Sequence, residues 1–356
     1  MAASPIRVAI VGCGAIALEH LAFLAPSPLV EVVGVCDASP AAADFARSKV
    51  PGARAYRDLT AMLEAERPTV VHVLTPPHTH PALAAQCAEA GCHVICEKPA
   101  AGTLGELDAM LATADGNGTW LMESQNYRYN QPVLDLVAAI GSGRVGEVRE
   151  VDVMISLDLV SGRFGDLNLT GPGVNLPGGA VHDMLPHMAY LFLMLSGAET
   201  SADRDPVQVY GRLWNASGNV RVGFDQVDAL VVSGAVRGRL RLASDLAPDA
   251  MRLVVRGTAG SAETDIWHPY LRVEGGANVG KRIAVEHLVS GSRLAWSAFT
   301  DLRDKVMQFG SYHGMTRMLD DTYSRLADGA AVPISRAQMR DTAALVDAIV
   351  ALGGAS

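Results

Sequence analysis

A chain of 356 residues, 49% of them apolar and 19% charged, is long enough for two hydrophobic cores and too apolar to be disordered. Its 29 basic residues against 38 acidic ones leave a formal charge of -9, the wrong sign for neutralising a nucleic-acid backbone or docking on an anionic membrane. The apolar stretch at 188–195 is too short to span a bilayer, and no basic leader precedes the first apolar segment, so a soluble protein is expected. Cys13, Cys36, Cys87, Cys92 and Cys96 are odd in number and include no C-x-x-C pair, which reads as reduced thiols in a cytoplasmic protein.

In chain order, Val- and Ile-rich runs at 6–11, 30–36, 70–74, 93–96 and 119–122 alternate with helical stretches, the rhythm of a parallel sheet with crossover helices. After Asn126 the period becomes two. Val151, Val153 and Ile155 share one face while Glu150 and Asp152 take the other, and the same alternation recurs at Val207, Val209 and Leu213, at Leu240 and Leu242, and at Met251, Leu253 and Val255. That pattern predicts an antiparallel sheet with one covered face. Helices over 179–196 and 304–327 are expected to cover it, and a last helix over 335–352 is available to pack back on the first domain. The fold class is therefore α/β: an N-terminal Rossmann domain, a doubly wound parallel sheet, over 1–125, and a C-terminal α+β domain with a large open, mainly antiparallel sheet over 126–356, serving substrate binding and oligomerisation.

The first strand runs into Gly12-Cys13-Gly14-Ala15-Ile16-Ala17, a G-x-G-x-x-A turn opening a helix. Glycines let the backbone approach a pyrophosphate, and the exposed N–H groups of a helix start bind it. Asp37 ends the next strand, where a carboxylate accepts hydrogen bonds from ribose hydroxyls and repels the extra phosphate of NADP. No basic residue follows until Arg47, so NAD is preferred over NADP. The plainer readings are a tight turn that binds nothing and an Asp37 that caps the following helix.

Thr75-Pro76-Pro77-His78-Thr79-His80 and Glu97-Lys98-Pro99 each follow a strand, at the carboxyl edge where open α/β sheets bind ligands. Together with the Gly12 turn and the stretch from Gly178 to His187, these landmarks resemble the Gfo/Idh/MocA oxidoreductases, the glucose-fructose oxidoreductase and inositol dehydrogenase type, over essentially the whole chain. Asn126-Tyr127-Arg128-Tyr129 is similar to the segment entering that family's second domain, and the stretch from Gly143 to Val148 to the turn feeding its first strand. The resemblance implies NAD(P)-dependent hydride transfer between nicotinamide and a CH–OH or C=O carbon of a sugar, sugar derivative or cyclitol. It sets Lys98 beside the nicotinamide and the reacting hydroxyl, with Asp183 and His187 facing it from the second domain. The residues assigned to the cofactor are Gly12, Gly14, Ala15, Ile16, Asp37, Thr75, Pro76, His80, Glu97, Lys98 and Asn126.

The chemistry of the residues agrees. Oxidising an alcohol needs a group to take the hydroxyl proton, and histidine, with an ordinary pKa of about 6.5, can do so; His187 is the first candidate. On a helix, residues four apart share a face, so Asp183 can orient His187 or hold a substrate hydroxyl. Lys98 can hold developing alkoxide charge or join the proton transfer. Arg128 is a candidate for binding substrate, with an equal claim as a tie between domains through carboxylates. His187 as a structural histidine and Lys98 as a surface charge are the corresponding bland readings.

Two departures bear on substrate. Pro186 stands where many members carry a glycine before the histidine and is expected to constrain or bend the helix, and the Gly-rich segment 157–177, lacking a tryptophan often found there, is expected to form a flap. Three other functions stay open: an enzyme whose tightly held NAD is reduced only transiently, for epimerisation, elimination or glycoside cleavage; a non-catalytic NAD sensor or interaction subunit; and a metal hydrolase using His78, His80, Asp183 and His187, disfavoured because Lys98 adds a competing cation, so no metal is expected. An exposed sheet face predicts a homo-oligomer, a dimer or tetramer.

Overall fold

The computed structural model describes residues 4–158, 175–200, 207–275, 291–292 and 313–354. The chain divides into two compact units, Met1–Asn126 with Tyr312–Ala344, and Tyr127–Ser311 with Leu345–Ser356.

The first unit carries β1 (Ile6–Val11), α1 (Ala15–Leu24), β2 (Val30–Cys36), α2 (Pro40–Lys49), β3 (Arg54–Tyr56), α3 (Leu59–Glu66), β4 (Val70–Val73), α4 (His80–Glu89), β5 (His93–Cys96), α5 (Leu104–Gly116) and β6 (Leu121–Glu123). Its sheet is six-stranded in the order β3-β2-β1-β4-β5-β6, and every pairing is parallel. Strands β1, β2, β4 and β5 are buried almost throughout, as sheets covered by helices on both faces require. The order reverses between β1 and β4, where the Gly12 turn and Thr75 leave the carboxyl ends. Strand β3 escaped the sequence reading because it is a three-residue edge strand with two exposed side chains.

Helix α8 (His313–Ala327) corrects one expectation. Its described residues, read as cover for the second sheet, belong to the first unit and pack on α1, where Tyr323 stacks on Phe23 at 6.1 Å; residues 304–312 lie outside the described part. The first turns of α9 (Arg336–Val350) also belong there: Arg340 pairs with Asp108 at 2.6 Å and Met339 Sδ receives the Glu123 N–H at 3.1 Å.

The second unit holds α6 (Gln131–Gly141), β7 (Val148–Ser156), α7 (Leu185–Ser196), β8 (Gln208–Trp214), β9 (Gln226–Ser233), β10 (Val236–Ala243), β11 (Ala250–Gly257), β12 (Gly260–Asp265) and β13 (Leu271–Gly275). Its seven strands run in the order β13-β12-β11-β7-β10-β9-β8, antiparallel except for the β7–β10 pair. The inner face is the one the alternation marked: Val151, Val153, Ile155, Leu240, Leu242, Met251, Leu253 and Val255 are buried against α7 and the last turns of α9. Helix α7 is apolar nearly all round, so it is buried all round. The outer face answers with charge: Arg237 and Arg256 meet Glu150, and Arg239 meets Asp228.

Candidate active site

In the first unit the turn after β1 is built for close backbone approach. Gly12 has φ +91°, and a Cβ there would stand 2.7 Å from the Leu74 carbonyl carbon, so only glycine fits. Gly14 caps α1 without any side-chain hydrogen bond and has open space around it; Gly14 and Ala15 are exposed and Ile16 half-buried. Among the described residues no side chain caps the start of α1, and nothing lies within 4 Å of where a Gly14 Cβ would stand.

Asp37, half-buried at the end of β2, accepts the Cys13 N–H at 2.7 Å through Oδ2 and the Ser39 N–H at 2.7 Å through Oδ1. It therefore buttresses the glycine turn. The cap of α2 is Ser39, whose hydroxyl accepts from Ala42. Burial, with Asp37 and Cys36 nearby, pushes the Cys13 thiol up to about 12.

The two loops beyond β4 and β5 are joined by His80, which is fully buried. Its Nε2 lies 2.7 Å from the Thr75 carbonyl and its Nδ1 2.9 Å from the Pro99 carbonyl. Burial lowers its pKa despite those carbonyls, so a neutral ring donates to one of them at a time. His80 staples the loops that carry Thr75 and Lys98. Thr75 and Lys98 are half-buried, Pro76 exposed, and Glu97 and Asn126 buried. The Lys98 N–H reaches Glu97 Oε2 at 3.3 Å, and Glu97 Oε1 meets His20 Nε2 at 3.1 Å.

In the second unit Asp183 and His187 do not share one α-helix. Asp183 ends a 3-10 turn (Gly179–Asp183), and His187 lies in the first turn of α7. Pro186 falls in that same first turn, where no N–H is required, so it starts the helix rather than bending it. Gly179, at φ +63°, has no room for a Cβ, which would fall 2.4 Å from the Phe224 nitrogen.

His187 is 3% exposed. Its ring stacks on Tyr127 at 4.1 Å and 14°, and its Nδ1 lies 2.6 Å from Tyr190 Oη. Tyr190 Oη also accepts the Tyr127 N–H at 3.2 Å. Arg128 lies over the Tyr190 ring at 5.3 Å and forks onto Glu199, its Nη1 2.9 Å from Oε2, both side chains 6% exposed. Its guanidinium is thus engaged within its own unit. Tyr190 and Glu199 were missed in the sequence; Tyr190 was signalled only by its i+3 spacing from His187. Next to Asp183, buried His182 accepts the Gly178 N–H at 3.1 Å, and burial drops its pKa to about 4. The flap expected over 157–177 falls largely outside the described residues.

Residues 6–125 match the family described as the oxidoreductase family, NAD-binding Rossmann fold, GFO_IDH_MocA. The chain is 35% identical to the D-glucoside 3-dehydrogenase of Escherichia coli (strain K12) over 149 residues, 42% of each chain; it thus spans less than half the length of that relative. Its fold is that of the WlbA dehydrogenase from Bordetella pertussis, solved with NADH and UDP-GlcNAcA, at TM-score 0.77 and 20% identity over 100% of this chain and 97% of that one. It is also similar to KijD10, a 3-ketoreductase from Actinomadura kijaniata solved with NADP and TDP-benzene, at TM-score 0.74 and 19% identity over 98% of each chain. Among the described residues no helix is long and apolar enough to cross a membrane. The glycine turn and the strand-end loops all lie within residues 6–125, the stretch that is similar to the NAD-binding Rossmann fold of the Gfo/Idh/MocA oxidoreductase family.

Proposed function

We propose that the protein is a dehydrogenase that uses NAD in preference to NADP and acts on a CH–OH carbon of a sugar, sugar derivative or cyclitol. The observation that carries this reading is the α1 start: open space at Gly14, no side-chain cap, and a carboxylate 2.7 Å from the turn's own Cys13 N–H. Bound there, the dinucleotide supplies a hydride acceptor or donor. Gly12, Gly14, Ala15 and Ile16 receive its pyrophosphate, and Asp37 receives the ribose hydroxyls while repelling a 2′-phosphate. Thr75, Pro76, Glu97, Lys98 and Asn126 complete the cofactor side.

His187 exchanges the hydroxyl proton at Nε2, and Lys98 holds alkoxide charge as it develops. Tyr190 keeps the imidazole in register in both protonation states, donating to a bare Nδ1 or accepting from a protonated one. Asp183 holds a neighbouring substrate hydroxyl. Arg128, forked onto Glu199, supports Tyr190. The dehydrogenase name of the E. coli relative and the sugar-nucleotide complex of the B. pertussis structure favour a carbohydrate substrate. A homo-oligomer through the outer sheet face belongs to the same reading: Tyr210 and Leu230, opposite each other on β8 and β9, are each 56% exposed.

A screen of sugars, sugar acids and inositols with NAD and NADP separately, followed by absorbance of reduced nicotinamide, tests the reading. Reduced cofactor should accumulate with NAD and one substrate class. NAD that stays bound through purification with no net reduction would favour transient oxidation instead.

A further inference from the structure

Four buried side chains of the first unit form a polar chain, and the steps above use only Glu97 of the four. Glu97 Oε1 lies 3.1 Å from His20 Nε2, His20 Nδ1 lies 2.7 Å from His72 Nδ1, and His72 Nε2 lies 2.6 Å from Tyr323 Oη. They come from the residue after β5, from α1, from β4 and from α8. His20, His72 and Tyr323 are 0% exposed and Glu97 7%. The rings lock one another: His20 is edge-on to His72 at 4.9 Å and 89°, and His72 lies flat against Tyr323 at 6.0 Å and 4°.

Counting protons gives two arrangements. An ionised carboxylate only accepts, so His20 Nε2 carries a proton. The Nδ1–Nδ1 contact holds a single proton, which belongs to one ring or the other. If it belongs to His72, the His72 Nε2 is bare and accepts from the Tyr323 hydroxyl. If it belongs to His20, the one proton of His72 sits on Nε2 and donates to Tyr323 Oη. The arrangements differ by one proton, and each leaves all four ring nitrogens partnered. Burial, and then His20, holds His72 well below the ordinary imidazole range, consistent with a neutral His72 in both.

We propose that this chain is a buried one-proton store whose charge acts on Lys98 through Glu97, making His20, His72 and Tyr323 positioning residues for hydride transfer. The proposal rests on the dehydrogenase reading. Glu97 faces His20 from α1, its neighbour Lys98 and the hydroxyl of Ser124, with Cys96 and, from α4, His80 within electrostatic reach; His20 faces His72, and His72 faces Tyr323. With the extra proton, Glu97 and His20 together are neutral. Without it they carry one negative charge, which favours an ammonium on Lys98 and the cationic ring of oxidised nicotinamide over the neutral reduced ring.

The test is a titration of histidine-15N-labelled protein by NMR, without ligand, from about pH 5 to about pH 9. The His72 proton should move from Nδ1 to Nε2 as pH falls, with a single midpoint. Tyr323→Phe should displace the midpoint of that move, since phenylalanine leaves His72 Nε2 without its partner in both arrangements. Affinities for NAD and for NADH are measured on the same proteins. Below the midpoint the ratio of NAD to NADH affinity should fall about threefold or more in the wild type, and in Tyr323→Phe this dependence should follow the displaced midpoint. A His72 that keeps one tautomer throughout overturns the store, and the wild-type titration decides this even if the variant does not fold. An affinity ratio that ignores the midpoint overturns the link to Lys98. NAD that binds at no pH overturns the dehydrogenase reading and that link with it, while the tautomer record still judges the store.

Discussion

His187 Nδ1 and Tyr190 Oη stand 2.6 Å apart, one turn along α7. The hydroxyl also takes the Tyr127 N–H, so the backbone entering the second unit fixes the group that fixes the imidazole. The imidazole is thus held through Nδ1, and the effect of that hold can be tested.

Removing the phenolic oxygen leaves the packing intact. Tyr190→Phe is expected to lower kcat about tenfold and move the pH profile of kcat, while NAD affinity changes less than about twofold. Steady-state rates across pH, paired with calorimetric NAD binding, make the comparison. A profile superimposable on the wild type would assign Tyr190 to packing alone.

His187→Ala and Lys98→Met should each reduce turnover by roughly tenfold to a hundredfold or more with NAD binding largely retained, the scale of acid–base and charge-stabilising groups. Wild-type turnover in both variants would remove them from the chemistry.

Asp37→Ala takes away the acceptor of the Cys13 N–H as well as the proposed ribose contact. NAD affinity should drop on the order of tenfold or more, the worth of a charged hydrogen bond, and the preference for NAD over NADP should shrink. Equal losses for both cofactors would mean that Asp37 acts only by shaping the turn.

His182 sets an acid limb for stability. Folded, it stays neutral down to about 4, against an ordinary 6.5, so between those values the unfolded chain binds more protons. Stability is therefore full above the higher value and declines as pH falls toward the lower, by on the order of 3 kcal/mol at most. His182→Gln, whose amide oxygen can still accept the Gly178 N–H, should flatten that limb in thermal unfolding scans between about pH 4 and pH 7. An unchanged limb would place the acid sensitivity elsewhere.

The sheets were readable because burial leaves a period in the sequence. Strands β1 and β2 fall where the Val- and Ile-rich runs place them, and the inner face of the second sheet follows the alternation residue by residue. What escaped depends on partners rather than period. The buried face of α8, with Met318, Leu319 and Tyr323, declares that the helix packs but not on which sheet. The same holds within the site: Gly12, Asp37 and Lys98 announce themselves through local motifs, whereas Tyr190 matters because of one oxygen's position, and an i+3 tyrosine on an apolar helix reads equally well as core. Pro186 suggested a bend because its register relative to the helix start is set by the preceding 3-10 turn.

His80 has a mechanical consequence. One imidazole spans the carbonyls of Thr75 and Pro99, and a neutral ring satisfies only one at a time, so the segments bearing those carbonyls share a single pin that favours whichever sits closer. A push on the first segment is transmitted to the second through a rigid five-membered ring, without any side chain in between having to refold.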